Sequence, residues 1–155
     1  MNNLPKSIHM EELSPLITGL IDSGTDVTIT VVGNSMFPLL CNYRDTVTLT
    51  KCDKHNLKKG QIPLYLRQDG TYVLHRIIKV NENTYDMLGD SQTIIERDVP
   101  KENVLCVVKG FTRKNKYHDC ESKIYRLYSW VWILARPIRK LFLKSYMILY
   151  KIIKE

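Results

Sequence analysis

The 155-residue sequence has no apolar run long enough to cross a bilayer. A membrane-spanning helix needs about 20 consecutive apolar residues, and the longest uncharged apolar stretch of the C-terminal part, LYSWVWILA, covers only residues 127–135. The N-terminal segment MNNLPKSIHMEELS contains no apolar core, so it does not have the pattern of a secretory signal peptide. From the sequence we therefore expect a protein that stays in the cytoplasm or associates with a membrane only peripherally.

Metal-binding and redox patterns are also missing. The four cysteines, Cys41, Cys52, Cys106 and Cys120, form no C-x-x-C pair, a spacing that zinc sites and dithiol redox sites commonly use. Their number would allow two disulfides, but no spacing requires them, and we expect reduced, partly buried thiols. The sequence therefore predicts neither a metal nor any other cofactor.

The positive charge is unevenly distributed along the chain. Residues 1–108 hold 11 Lys and Arg against 13 Asp and Glu, a net of −2, whereas residues 109–155 hold 12 against 3, a net of +9. Such a basic tail favours an anionic partner, either a membrane surface or a nucleic acid. Its basic residues alternate with Leu and Ile more than with aromatic residues that could stack on bases, so we predict a membrane surface or a partner helix and no nucleic acid.

Short β-strands separated by turn residues make up most of the predicted structure. β-Branched and alternating runs predict six strands, over residues 26–32, 46–51, 62–67, 72–80, 84–88 and 104–111. Asp69-Gly70 predicts a hairpin between the third and fourth strands. Pro63 predicts that the third strand lies at a sheet edge or starts late. We therefore expect a mainly β fold.

A short helix is expected before the strands. Ser14 followed by Pro15 is typical of an N-cap and a first helical residue, which predicts a helix that ends near Ile21. The sequence thus divides into three parts: an N-terminal helix and lead-in (1–25), a β-domain (26–112) and a basic amphipathic helical tail (113–155).

The tail shows helical periodicity from about Cys120. Pro137 should interrupt it, giving helices over about 121–135 and 137–153. Arg136, Lys140 and Lys144 are four residues apart and share a helix face. Such a helix could pack on the β-domain or on a second copy of the chain, or it could lie in a membrane interface.

A polar turn with unusual composition follows the first predicted strand. The run VTITVV leads into GNSMFP, residues 33–38, and Ser35 there is a candidate nucleophile or simply a turn serine. A serine nucleophile needs a general base, and the candidate is His75, which could equally be a core histidine on an apolar strand. A base of this kind also needs an acid to orient it. The segment LGDS (88–91) offers Asp90, with Glu96 and Asp98 shortly after.

These segments, taken in order, resemble the signal peptidase I family. The resemblance rests on Ser35-Met36-x-Pro38, on HRII at His75, and on LGDS followed by ERDVP. DTV (45–47) and LKKGQI (57–62) resemble further family segments, with Arg44 and Gln61 as departures. The similarity covers about residues 26–110.

The resemblance implies a serine endopeptidase of the type that uses histidine as its base, as in the endoplasmic-reticulum enzyme and small bacterial relatives. It implies Asp90 first and Glu96 second as partners of His75. Glu96 replaces the usual Asp. Alternatively, one of these acids only caps the turn at Gly89 or pairs with Arg76 or Arg97.

The resemblance also implies an oxyanion hole at the backbone N–H of Ser35. Gly33 stands where some members have a serine hydroxyl, so a backbone N–H or the Asn34 amide would have to serve. Met36 is expected to shape the specificity pocket and a membrane-facing surface, and Pro38 belongs to the same pocket.

Three functions follow as hypotheses. The first is a peptidase that cleaves leader or signal peptides from peptide or protein precursors in a bacterium. The second is an inactive peptidase-fold module that binds peptides in a maturation or export system. The third, a self-cleaving repressor, is disfavoured because those proteins use a lysine base, because only 34 residues precede Ser35, and because the only alanine is Ala135, so no Ala-Gly cleavage pair exists.

Overall fold

The computed structural model describes residues 10–138 together with residues 141 and 145. Within them the elements are, in chain order, α1 (Met10–Asp22), β1 (Val27–Thr30), β2 (Thr46–Thr50), β3 (Pro63–Leu66), β4 (Tyr72–Leu74), β5 (Arg76–Val80), β6 (Thr84–Leu88), β7 (Glu96–Pro100), a 3-10 turn (Lys101–Asn103), β8 (Val104–Arg113), β9 (Lys116–Asp119) and α2 (Lys123–Leu134). The expected mainly β fold, with a short helix near the N-terminus and a helix near the C-terminus, is confirmed.

The strands form two antiparallel sheets. The larger sheet has the order β1-β2-β8-β3-β4, and β9 pairs with the end of β8. The smaller sheet has the order β5-β6-β7. Because β4 belongs to the first sheet and β5 to the second, the chain changes sheets at the single residue between them, His75.

Two hydrophobic cores lie on opposite faces of β3. The main core includes Met36, Leu40 and Leu64. The second core includes Tyr65 of β3 and Ile77 of the smaller sheet. A strand with both faces buried has no polar alternation, which explains the continuous apolar run IPLYL in the sequence.

The fourth predicted strand, over 72–80, is wrong as a single element. It is two strands, Tyr72–Leu74 and Arg76–Val80, because its two halves pair with different partners, β3 and β6. The Asp69-Gly70 hairpin is confirmed by the pairing of Leu66 with Tyr72. Of the two alternatives for Pro63, the edge position is wrong, since β3 lies between β8 and β4. The late start is confirmed, because β3 begins at Pro63, one residue after the predicted start, where no ladder donor is needed.

Two strands were not predicted. β7 (Glu96–Pro100) has the polar sequence ERDVP, and β9 (Lys116–Asp119) has KYHD. Each pairs on one side with a strand that is already in a sheet. These segments therefore become strands because a neighbouring strand binds them, and not because their residues favour β-structure. The predicted tail, 113–155, therefore begins with a strand of the larger sheet.

Both helix predictions need correction at their ends. α1 begins at Met10, with Pro15 inside it, and the Ser14 hydroxyl bonds to that of Tyr72 at 2.7 Å instead of capping the helix. α2 begins after Ser122, whose hydroxyl accepts a hydrogen bond from the Tyr125 amide. The second tail helix, predicted over 137–153, lies almost wholly outside the described residues.

Candidate active site

Ser35 lies in the loop that joins β1 to β2. The ends of this loop are tied together, since the Val31 amide donates to the Asp45 carbonyl at 2.9 Å. Its middle is anchored by Met36, which is only 2% exposed and packs in the main core. The residue directly after the candidate nucleophile thus holds the loop on the body, while Ser35 itself stays partly exposed.

Gly33 gives this loop its shape. Its φ is +92°, a conformation that a residue with a side chain adopts only with strain. Its amide donates to Asn42 Oδ1 at 2.9 Å. A serine at position 33 would be strained here, so the hydroxyl donor that some signal peptidases have at this position does not fit the loop, and the Gly33 N–H is already engaged.

The reactive groups of Ser35 are both available. Among the described residues no hydrogen bond engages its hydroxyl or its amide, whereas its carbonyl accepts two. A free hydroxyl can attack a carbonyl carbon, and a free N–H beside it can bind the oxyanion that forms. Asn34 is exposed, and its carbonyl is held by the Ser91 hydroxyl at 2.8 Å.

The turn Gly89-Asp90-Ser91 clamps the Ser35 loop in place. The Ser91 amide donates to the Ser35 carbonyl at 2.9 Å, and the Ser91 hydroxyl reaches the same oxygen at 3.1 Å. A Cβ at Gly89 would lie 2.6 Å from the Ser35 carbonyl oxygen. Only glycine permits this close approach without a shift of the loop.

The same turn is joined to the strand that follows His75. Asp90 accepts hydrogen bonds from Arg76 Nε at 2.9 Å and from Arg76 Nη2 at 2.6 Å, and each side chain is only 1% exposed. Despite its burial, Arg76 keeps a raised pKa because of its pairing with Asp90. One turn therefore connects to Ser35 on one side and to the neighbour of His75 on the other.

Arg76 is also the point at which α2 meets the body. Its Nη1 donates to the Gly60 carbonyl at 3.0 Å, to the Tyr125 hydroxyl at 3.0 Å and to the Ser129 hydroxyl at 2.8 Å. A Cβ at Gly60 would lie 2.8 Å from Ser129 Oγ, so the helix sits directly against this turn. Together with the Asp90 contacts, each of the three guanidinium nitrogens has at least one acceptor.

His75 is almost completely buried, at 1% exposure. Its Nδ1 lies 3.1 Å from the Tyr65 hydroxyl and 3.7 Å from Glu96 Oε2. Its Nε2 is buried and has no hydrogen-bond partner among the described residues. A buried polar atom without a partner costs about 1–3 kcal/mol, and such an atom calls for an explanation, of which a catalytic role is one.

A chain of hydrogen bonds fixes the protonation of His75. Glu96 Oε2 accepts from the Tyr65 hydroxyl at 2.8 Å and from Arg67 Nη2 at 2.7 Å. Burial alone would raise the pKa of Glu96, but the hydrogen bonds from Arg67 and Tyr65 outweigh it and hold the pKa below its usual value, so this carboxylate is ionised near neutral pH.

The tautomer of the imidazole follows from this chain. An ionised carboxylate accepts hydrogen bonds only, so the single Tyr65 proton points to Glu96. The Tyr65 oxygen can then only accept from His75, which places a proton on Nδ1 and leaves a lone pair on Nε2. This is the form that a general base requires.

The pKa of His75 is lowered to about 4, mainly by burial and secondarily by the nearby Arg67 cation, while Glu96 opposes the shift. The imidazole is therefore neutral across the physiological range. Burial, and secondarily the Glu96 carboxylate, raise the pKa of the Tyr65 hydroxyl, which keeps its proton.

The structure changes the expected order of the two acids. Asp90, expected as the first partner of His75, has both carboxylate oxygens on Arg76. Glu96, expected second, is the acid on the His75 side, and it acts through Tyr65. The reason is that Asp90 sits in a turn facing β5, whereas Glu96 begins β7 near Arg67 at the end of β3.

Three further residues that the sequence analysis named are Met36, Pro38 and Asp98. Met36 is buried in the main core and exposes almost nothing to a pocket or a membrane, so that expectation is wrong. Pro38 is half-buried in the same loop, and the Phe37–Pro38 peptide is cis. Asp98 is exposed and bonds weakly to Thr84 at 3.3 Å, away from the His75 contacts.

Three residues of the arrangement were not predicted: Tyr65, Arg67 and Ser91. The sequence did carry a signal for Tyr65, because a tyrosine inside a buried apolar strand needs a partner for its hydroxyl. Ser91 follows the Gly89-Asp90 pair directly. No local pattern connects Arg67 with Glu96, which is 29 residues away along the chain.

An open groove of about 640 Å³ runs beside this cluster. Its lining includes Arg67, Ser91, Ile94 and Glu96. Ile94 is strongly exposed, at 84%. The groove thus borders the turn that holds Ser35 and the carboxylate that holds His75, and it offers both polar and apolar contacts.

No protein-family model and no curated protein matches this chain.

In the part of the chain that the structure describes, no group of three or more His, Cys, Asp and Glu side chains could hold a metal ion. The four cysteines are free. Burial raises the pKa of Cys52 and Cys120 to about 11 and that of Cys106 to about 12, so these three remain thiols near neutral pH.

Proposed function

We propose that this protein is a serine endopeptidase similar to signal peptidase I, with Ser35 as nucleophile and His75 as general base. The observation that carries the proposal is the Nε2 atom of His75. This nitrogen is buried and has no hydrogen-bond partner among the described residues. Because the hydrogen bonds at Nδ1 place the ring proton there, Nε2 carries a lone pair. A histidine that is only structural would be expected to satisfy both ring nitrogens.

The proposed mechanism uses Ser35 together with the hydrogen-bonded group His75, Tyr65 and Glu96. The Ser35 hydroxyl attacks the scissile carbonyl carbon, and its proton passes to His75 Nε2. Tyr65 and the ionised Glu96 stabilise the imidazolium that results, in the role that an aspartate has in serine proteases. The amide N–H of Ser35 binds the oxyanion.

Collapse of the tetrahedral intermediate breaks the C–N bond, and His75 gives its proton to the leaving amine. Water then attacks the acyl ester, with His75 again as base, and releases the Ser35 hydroxyl. Hydrogen bonds between nucleophile and base tighten when a substrate is bound. In this proposal the Ser35 hydroxyl becomes the partner of Nε2 at that stage.

The sheet edges support an extended peptide as the substrate. β1 and β4 end the order of the larger sheet, and they lead into Ser35 and His75 respectively. An extended peptide could add to such an edge through its backbone. We propose precursor peptides, cleaved behind a leader or signal segment that ends in small residues, because the resemblance to signal peptidase I implies them.

The test uses the purified chain and a library of leader-like peptides, with products identified by mass spectrometry. We expect cleavage by the parent and none by Ser35→Ala or His75→Ala. Ser23→Ala and His55→Ala are matched controls, since both residues are exposed and lie outside the cluster. Circular dichroism should show that all four variants are folded.

The proposal is wrong if the parent cleaves nothing in the presence or absence of anionic vesicles, or if Ser35→Ala cleaves as fast as the parent. The second candidate, a peptide-binding module without activity, is favoured by Gly33, which offers no hydroxyl to help bind an oxyanion and whose N–H is already engaged by Asn42 Oδ1. It predicts that parent and Ser35→Ala bind the same peptides equally and cleave none.

A further inference from the structure

The helix α2 carries apolar residues on two opposite faces. On the inner face, Tyr125 and Ser129 are buried and bond to Arg76. Tyr128 and Trp132 are half-buried and stack on each other, with ring centroids 6.0 Å apart. This face is fully accounted for by the docking of the helix on the body.

The outer face is apolar but has no neighbour within the described structure. Ile124, Leu127, Val131 and Leu134 are spaced by three, four and three residues, so they form one stripe along the helix. All four are exposed, from 50% at Val131 to 84% at Ile124. Aligned apolar side chains of this kind indicate a surface that binds something, unlike single exposed residues scattered over a protein.

Charge indicates what the outer face binds. α2 contains no acidic residue, and its Lys123 and Arg126 are exposed. The segment 109–155, to which it belongs, has a net charge of +9. An exposed tryptophan, Trp130, lies next to the stripe, and aromatic side chains of this type favour the headgroup level of a bilayer.

We propose that α2 is an interfacial helix whose outer stripe rests on an anionic lipid bilayer. Its apolar side chains enter the boundary between headgroups and acyl chains, and its cations contact the acidic headgroups. A second copy of the chain is a poorer occupant, because pairing two such helices would bring two segments of net charge +9 together.

The proposal places the membrane and the candidate active site on opposite sides of one helix. The inner face of α2 binds Arg76, which is adjacent to His75 in the chain. A bilayer under the outer face would therefore hold the peptidase body at the surface. The proposal does not depend on the peptidase activity, since lipid binding is measured without any substrate.

The test is sedimentation of the full chain with vesicles of phosphatidylcholine, alone or mixed with phosphatidylglycerol. We expect binding to the mixed vesicles that weakens with added salt, together with a blue shift of tryptophan fluorescence that Trp130→Phe reduces. The double variant Leu127→Gln, Val131→Gln should bind at least about tenfold more weakly, since two apolar side chains lose their burial.

Val80→Gln is the matched control, because Val80 is an exposed valine at the β5–β6 hairpin, and it should bind like the parent. Three results would overturn the proposal: no binding to mixed vesicles, equal binding by the double variant and the parent, or self-association that the double variant abolishes. The second would mean that tail charges alone bind lipid. The third would assign the stripe to a second copy.

No helix of the described residues combines the length and the apolar character that crossing a membrane requires. The proposed contact is therefore one of a helix lying in the plane of the interface.

Discussion

Two arginine–carboxylate pairs flank His75, and they differ mainly in burial. Arg76–Asp90 is closed: each side chain is 1% exposed, and each polar atom of the pair has a partner. Arg67–Glu96 is open: the side chains are 32% and 28% exposed, and the pair borders the groove. The closed pair lies on the side of the turn and of α2, and the open pair on the side of the imidazole.

The difference in burial suits the two pairs to different roles, one in stabilising the fold and one in controlling the candidate base. A buried ion pair loses much when one partner is removed, because the other charge is left without compensation. A half-exposed pair loses little stability, since water replaces the missing partner. The closed pair is therefore suited to hold the Ser35 loop and β5 together, and the open pair is suited to set the protonation of His75.

The largest expected effect is on the closed pair. Asp90→Asn keeps the shape of the side chain but removes its charge, which leaves Arg76 as a buried cation. We expect the free energy of unfolding to fall by about 3–5 kcal/mol, measured by urea denaturation.

Glu96→Gln is the matched control in the open pair, and it should cost about 1 kcal/mol or less. Equal losses in the two variants would contradict the distinction between a closed and an open pair.

The next effect concerns pH and comes from His75. Its pKa is about 4 in the folded chain and about 6.5 when unfolded. Between these values the unfolded chain binds more protons than the folded chain, so stability rises with pH over this window and is lost as pH falls from 6.5 toward 4. The contribution of His75 is on the order of 3 kcal/mol across the window.

Urea denaturation at several pH values checks this expectation. In His75→Gln the slope of stability against pH between 6.5 and about 4.5 should become flatter. Glu96 acts in the same direction only at lower pH, because its lowered pKa puts its titration below the usual carboxylate range. An unchanged slope in the variant would mean that the imidazole is protonated as easily in the folded chain as in water.

The smallest expected effect comes from removing the link between the open pair, Arg67–Glu96, and the imidazole of His75. Tyr65→Phe removes the oxygen that accepts from His75 Nδ1 and donates to Glu96. If the proposed function holds, we expect kcat/KM for the best library peptide to fall about 10- to 100-fold, which equals about 1.4–2.7 kcal/mol of transition-state stabilisation.

Tyr72→Phe is the control, since that hydroxyl bonds to Ser14 on the other side of the sheet. KM should change little in Tyr65→Phe, because the lost interaction supports the imidazolium rather than substrate binding. An unchanged kcat would remove Tyr65 from the mechanism.

Much of the fold could be predicted because its signals are local. The β6 strand, the β3–β4 hairpin and the mainly β character follow from alternation, β-branched residues and turn pairs within a few residues of each other. β7 and β9 could not be predicted, because polar segments such as ERDVP become strands only when a neighbouring strand supplies their hydrogen bonds.

The candidate site, like the fold, could be predicted only in part. The sequence by itself determined which side chains are available: a serine in a glycine-containing turn, a histidine on an apolar strand, and two acids shortly after it. Only the tertiary structure decided that Asp90 binds Arg76 and that Glu96 reaches His75 through Tyr65. Linear spacing cannot distinguish two acids six residues apart, since their roles depend on which of two sheets each one faces and on how much water reaches it.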